Sequence, residues 1–320
     1  MADKSISRRR LFGVAAMAGL AVACSEPVRA DGPATAPVTT ASGPISTAPN
    51  RVTAAPSQVT AVPGAVSPLP GTAAAAPGVA APISAPLRAP LPLPAAVAGQ
   101  HEGAAPRLWG TQMPGIVDSF AANGDQIALT LDACGGAGNN DMDQDLIDFL
   151  IAERIPCTLF LNKRWIDADP ARVLRLAGNP LFELANHGVA HRPLSVNGRS
   201  AYGIAGTASA WEAADEVWVN HLRLAELTGV PPRLFRAGTA HYDEVAVAIA
   251  TELGETPIGF SVNADRGATA SAAQVAATVS AAWPGSITLA HMHRPRSGTG
   301  PGMVTALTAL RQRGFTFVRL

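Results

Sequence analysis

At 320 residues the chain is long enough for a sizeable buried core, and its 24 Lys+Arg balance its 24 Asp+Glu. That neutrality argues against a nucleic-acid binder, which carries a basic face. Three cysteines, Cys24, Cys134 and Cys157, are too few for a disulfide framework, and charged residues make up only 15% of the chain against 48% hydrophobic.

Residues 1–28 read as an export leader. Ser7-Arg8-Arg9-Arg10-Leu11 is similar to a twin-arginine motif, and an apolar run from Leu11 to Ala23 follows it. Such a run is too short to span a bilayer and suits the apolar core of a cleaved signal. Ala21-Val22-Ala23 fits a cleavage site, and the same stretch is similar to a lipoprotein box in which Cys24 is lipidated. Both readings stay open. Residues 29–102 form a Pro/Ala-rich tether: between 29 and 100 there are 14 prolines, four charged residues and no aromatic side chain. Proline removes backbone donors and alanine buries little area, so this stretch is expected to be disordered. The chain is therefore expected to be exported, to the periplasm or cell envelope, with membrane contact only through the leader or a lipidated Cys24.

From 103 to 320 apolar runs alternate with amphipathic stretches. Strands are predicted at 126–131 (QIALTL), 156–161, 181–186, 233–238, 257–263, 286–292 and 315–320. Helices are predicted over 142–155, 170–178, 209–229, 242–254, 271–283 and 302–314, the third closed by Gly229. Seven strands alternating with helices imply a parallel sheet, either open and doubly wound or closed into a barrel. In such folds chemistry gathers at the carboxyl ends of the strands. Four predicted strands end in conspicuous polar phrases: "LTLDACGG", "LANHGVAH", "LFRAGTAHYD" and "LAHMHRP".

These phrases, in this order, resemble the polysaccharide deacetylase family, also called the NodB-homology family or carbohydrate esterase family 4, over about residues 125–320. The resemblance implies an α/β fold, a distorted (β/α)7-type barrel. It also implies removal of acetyl groups from N-acetylated glycans with a divalent metal, commonly zinc. The family's first motif, Thr-Phe-Asp-Asp-Gly, corresponds to Thr130-Leu131-Asp132-Ala133-Cys134-Gly135. Asp132 matches the general base, but Ala133 stands where the family has a metal-binding Asp. His187 and His191 match the two metal ligands of the second motif. Arg236 matches the arginine that positions the base, without the proline that follows it in the family. Asp265 matches the fourth-motif Asp, without its Trp, and His291 matches the general acid of Leu-x-His. The phrases as they stand are similar to an exported bacterial branch with an altered first motif.

The residue chemistry agrees with these roles. Amide hydrolysis needs an activated water and a proton for the leaving amine, a division of labour that suits Asp132 and His291. His187 and His191, four apart, can share one side of a helical turn, and neutral imidazoles suit zinc. A catalytic zinc usually has three protein ligands. The third is open between Asp132 and Cys134, with His241 and Asp141 as weaker candidates. Arg236 is placed to hold Asp132 ionised, Asp265 to orient His291, and His293 to line the cleft.

"NNDMDQD" (139–145) lacks the glycine and distal Glu of a calcium loop and reads as a solvated helix start. Trp211, Trp218 and Trp283 read as packing residues, Trp165 as an edge of the cleft, and His101 and His221 have no assigned role. Two other functions stay in view: a catalytically silent glycan-binding protein, favoured by Ala133, and a metal-assisted hydrolase of another amide or ester. Oligomeric state is not legible.

Overall fold

The computed structural model describes residues 93–320. The leader predicted over 1–28 lies outside the described residues, as do residues 29–92 of the predicted tether. The end of that tether is structured, however. Pro94–Gln100 forms α1, begun by a proline whose fixed φ suits a first helical position. Its Val97 and Ala98 are buried in an apolar cluster with Ala213, Ala214 and Val217. The fold therefore takes in residues that composition assigned to the tether, because a short helix can borrow most of its buried surface from a neighbour.

β1 (Gln126–Ala133) is buried from Ile127 onward, as a central strand of a parallel sheet must be. After it come α2 (Gln144–Ala152), β2 (Cys157–Leu161), α3 (Lys163–Ala168), α4 (Pro170–Ala177) and β3 (Phe182–Asn186). The long α5 (Ala210–Thr228) precedes β4 (Leu234–Phe235), α6 (Glu244–Glu252), β5 (Thr256–Pro257) and β6 (Val262–Asn263). Then follow α7 (Ala272–Ser280), β7 (Ile287–His291), α8 (Thr299–Gln312) and β8 (Thr316–Val318). Helix ends carry the expected chemistry. Asp143 of the "NNDMDQD" stretch caps α2 by accepting from the Leu146 N–H at 3.1 Å, and Gly229 ends α5 at φ +74°.

All strand pairings are parallel, in the order β5-β4-β3-β2-β1-β7-β6, with β8 beside the start of β1. The predicted strand 257–263 is the point of closure. Its first part pairs with β4 and its second with β7, at opposite ends of the strand order. The Ile258 N–H still bonds the Phe235 carbonyl, while the Ser261 N–H already bonds that of Ile287. Three Cα steps reach at most roughly 11 Å. The two edges are therefore close together, the sheet curls into a distorted barrel, and the open doubly wound alternative is excluded.

Alternation along β1 sets up the site. Ile127, Leu129, Leu131 and Ala133 pack with Leu150, Leu159 and Met303. Ala128 faces the other way, with Phe160, Ala185, Ile258 and Ile287. Period two places Thr130 and Asp132 on that second, inner face.

A buried polar cluster stands beside β3. Asn186 Nδ2 donates to both Glu255 oxygens at 3.0 and 2.9 Å, and His221 Nδ1 lies 2.7 Å from Glu255 Oε1. His221, read from sequence as having no role, is thus a buried structural residue, with Trp218 stacked on it at 4.5 Å. Burial pushes the Glu255 carboxyl up to about 7 against the opposing pull of His221 and Asn186. Between its ordinary value of 4.5 and about 7 the folded chain holds a proton that the unfolded chain has released. That contribution to stability is full below pH 4.5 and is lost as pH rises to about 7. Urea midpoints should therefore fall across this window, and Glu255→Gln should flatten the slope.

Candidate active site

The register brings the polar strand ends together. Asp132 is the Cα partner of His291 across β1 and β7, and Asn186, next to His187, is the partner of Phe235, next to Arg236. Asp132, His191, His291, Tyr202, Phe260 and Arg266 line one cleft at this carboxyl end of the sheet.

Arg236 is fully buried inside the barrel and donates through Nη1 to Asp132 Oδ1 at 2.7 Å and to Thr130 Oγ1 at 2.8 Å. Its Nη2 and Nε donate to the Gly259 and Ile258 carbonyls at 2.8 and 3.3 Å. The guanidinium carbon lies 4.1 Å from the centre of the Phe160 ring. One oxygen of Asp132 is therefore held, while Oδ2 lies 3.6 Å from His187 Nε2.

His187 Nδ1 sits 2.8 Å from the Arg236 backbone carbonyl. A carbonyl only accepts, so Nδ1 carries the proton and Nε2 presents a lone pair. Burial lowers the pKa of His187, more than Asp132 and the Arg236 carbonyl restore it, and so favours the neutral imidazole that a metal requires. The two histidines do not lie on a helical turn, as their spacing suggested. They bracket a loop that needs left-handed backbone at Gly188 (φ +75°) and at His191 (φ +60°).

Three side chains pin this loop. Glu216 of α5 accepts from the Val189, Ala190 and Arg192 N–H groups at 3.1, 3.0 and 3.2 Å. Asn162 Nδ2 donates to the His187 and Gly188 carbonyls at 2.8 and 2.9 Å, and Asn186 Oδ1 accepts the Gly188 N–H at 2.9 Å. A Cβ at Gly188 would collide with Glu216, and one at Gly238 with the His191 backbone, so both positions require glycine. Burial raises the Glu216 carboxyl, against the lowering effect of these N–H donors. The sequence reading missed Glu216. Its signal was an acid on the buried stripe of α5, among Ala213, Val217 and Asn220.

On the other wall His291 Nδ1 lies 2.8 Å from Asp265 Oδ1. Asp265 Oδ2 accepts the His291 N–H and the Thr299 hydroxyl, both at 2.8 Å. Burial alone would raise the Asp265 carboxyl, but the His291 charge and these hydrogen bonds bring it below its ordinary value. Asp265 is thus bonded to His291, and Thr299 adds a contact from α8.

Cys134 Sγ lies 3.9 Å from His187 Nε2. The ligand atoms of Cys134, His187 and His191 all fall within 4.8 Å of one another, and all three residues are buried. Asp132 stands beside this group. The weaker candidates stay outside it: Asp141 is exposed, and His241 Nδ1 is bonded to the Thr239 carbonyl at 2.8 Å, with its ring against Trp109 and Tyr202. His293 does not line the cleft, because β7 ends at His291. It is buried, with Nδ1 3.4 Å from the Asp132 carbonyl. Trp165 is not a cleft edge but a fully buried residue, with Arg172 over its ring at 3.5 Å.

Residues 121–258 match the family model for polysaccharide deacetylase. No curated protein sequence matches the chain. Among solved structures, a family 4 carbohydrate esterase pseudoenzyme of Bacillus anthracis, BA3943, is 20% identical over 65% of this chain and 68% of that one, with a TM-score of 0.55. The Bc1960 peptidoglycan N-acetylglucosamine deacetylase is 23% identical over 63% of this chain and 89% of its own, with a TM-score of 0.52. A family 4 acetyl xylan esterase from Clostridium thermocellum, solved with cobalt, is 18% identical over 61% and 87%, with a TM-score of 0.50. These structures share the barrel. Over residues 121–258 the chain is similar to the polysaccharide deacetylase family, and the curled parallel sheet that holds its strand-end residues is the fold these solved structures share.

Proposed function

We propose that the protein is a metal-dependent hydrolase that removes acetyl groups from an N-acetylated glycan of the cell envelope. The observation that supports this most is one cleft lined by both an arginine-held carboxylate, Asp132, and a carboxylate-held imidazole, His291. Asp132 accepts a proton from the attacking water while Arg236 keeps its carboxylate oriented. Asp265 fixes Nδ1 of His291, so Nε2 is the atom that delivers a proton to the leaving amine. Water adds to the acetyl carbon, the carbon–nitrogen bond breaks, and acetate and the free amine leave. His187 and His191 would hold a divalent metal, zinc by the chemistry of buried neutral imidazoles, and its contribution when bound is to polarise the carbonyl and acidify water.

Two other readings stand behind this one. Ala133, in place of a carboxylate, favours a silent glycan-binding protein, and the same acid, base and donors would serve a hydrolase of another amide or an ester. Export through residues 1–28, with Cys24 as a lipidation point, belongs to the same proposal and rests on the leader's charge and apolar run.

The test is acetate release from N-acetylated oligosaccharides. Release that is lost on chelation and restored by zinc supports the deacetylase. Glycan binding without release would favour the silent protein.

A further inference from the structure

Resting on that reading of the site, we infer that Cys134 is the third ligand of the metal, making a thiolate–imidazole–imidazole set with His187 and His191. The geometry supports it in three ways. First, the side chain of Ala133 packs among Leu129, Leu131 and Leu161 on the face away from the site, while Cys134, the residue just after β1, has its sulfur 3.9 Å from His187 Nε2. Around the end of β1 the donors that stand near the histidines are therefore Asp132 and Cys134. Second, Asp132 already has one oxygen on Arg236, whereas the Cys134 sulfur is grouped with both imidazole donors.

Third, the chain just past β1 is held in place. The Asn162 N–H bonds the Ala133 carbonyl at 3.0 Å, and Arg164 Nη2 donates to the Cys134 carbonyl at 3.3 Å. Gly135 turns the chain at φ +67°, and a Cβ there would meet the Trp165 backbone. The sulfur is thus carried by a fixed backbone.

The consequence is metal choice. Thiolate is a soft ligand that favours zinc and its analogues, whereas magnesium and manganese prefer oxygen donors. Binding converts the thiol to thiolate, and the proton leaves to solvent. It also leaves Asp132 to act as a base rather than a ligand.

Cobalt(II) titrated into the full chain tests this without reference to turnover. One equivalent should bind with a near-ultraviolet sulfur-to-cobalt charge-transfer band, and zinc should displace it while magnesium should not. Cys134→Ser should lose the band and at least about tenfold in cobalt affinity. Cys134→Asp should keep cobalt but show no band, and far-ultraviolet circular dichroism checks that both variants are folded. A band that survives in folded Cys134→Ser would overturn the assignment, as would wild-type cobalt binding at one equivalent without a band. Chelator-sensitive acetate release alongside such a bandless site would leave the deacetylase standing and remove only the thiolate. A Cys134-dependent band with no acetate release would do the reverse.

Discussion

Asp132→Asn should lower kcat for acetate release by about 10²–10⁴-fold, the usual contribution of a positioned general base. The substitution is nearly isosteric, and an amide oxygen can still accept from Arg236 Nη1, which now sits 2.7 Å from Oδ1. What the amide cannot do is take a proton at the second position, the one that lies 3.6 Å from His187 Nε2. The variant therefore separates the proposed enzyme from the silent binding protein. A base that acts in the chemistry loses turnover while glycan affinity stays within a few-fold. A protein whose cleft only binds sugar shows the same affinity in both forms and no turnover to lose. Unchanged kcat in Asp132→Asn would remove Asp132 from the mechanism, and with it the proposed division between acid and base.

The sheet was largely legible because buried parallel strands are short apolar runs, and the residues ending them are polar for a reason. Asp132, His187, Arg236 and His291 each follow such a run, and the register brings them to one end of the barrel. Closure was implied by the family resemblance but was not legible in the periodicity of the strands. The stretch 257–263 reads as one strand, and nothing in its composition reveals that its two ends pair with opposite edges of the sheet. The histidine loop was misread for a similar reason. A spacing of four fits a helical turn, but it fits equally a loop with left-handed residues at 188 and 191, and only Glu216 from a distant helix decides between them. Side chains that act through long-range contacts, Glu216 and Thr299 among them, leave little trace in local pattern. Cys134 was visible as a candidate, but its relation to the histidines needed the turn after β1.

Arg236→Met should cost about 3–5 kcal/mol of stability, the penalty for leaving one member of a buried ion pair without its partner. The guanidinium is fully buried and its donors serve Asp132, Thr130 and two carbonyls of the closing strand. Methionine fills much of the same volume over Phe160 but satisfies none of these acceptors, and it leaves the Asp132 carboxylate nearly dry. Such a loss is a large share of the roughly 5–15 kcal/mol that a domain has in hand. It should appear as a lower urea midpoint with turnover depressed in the remaining folded fraction. Combining it with Asp132→Asn is the sharper measurement. If the cost comes from the stranded charge, the double variant should be less destabilised than the sum of the two singles, by at least about 1 kcal/mol. Strict additivity would mean that Arg236 stabilises the chain mainly by tying Gly259 and Ile258 across the barrel's closure, and that its hold on Asp132 serves orientation alone.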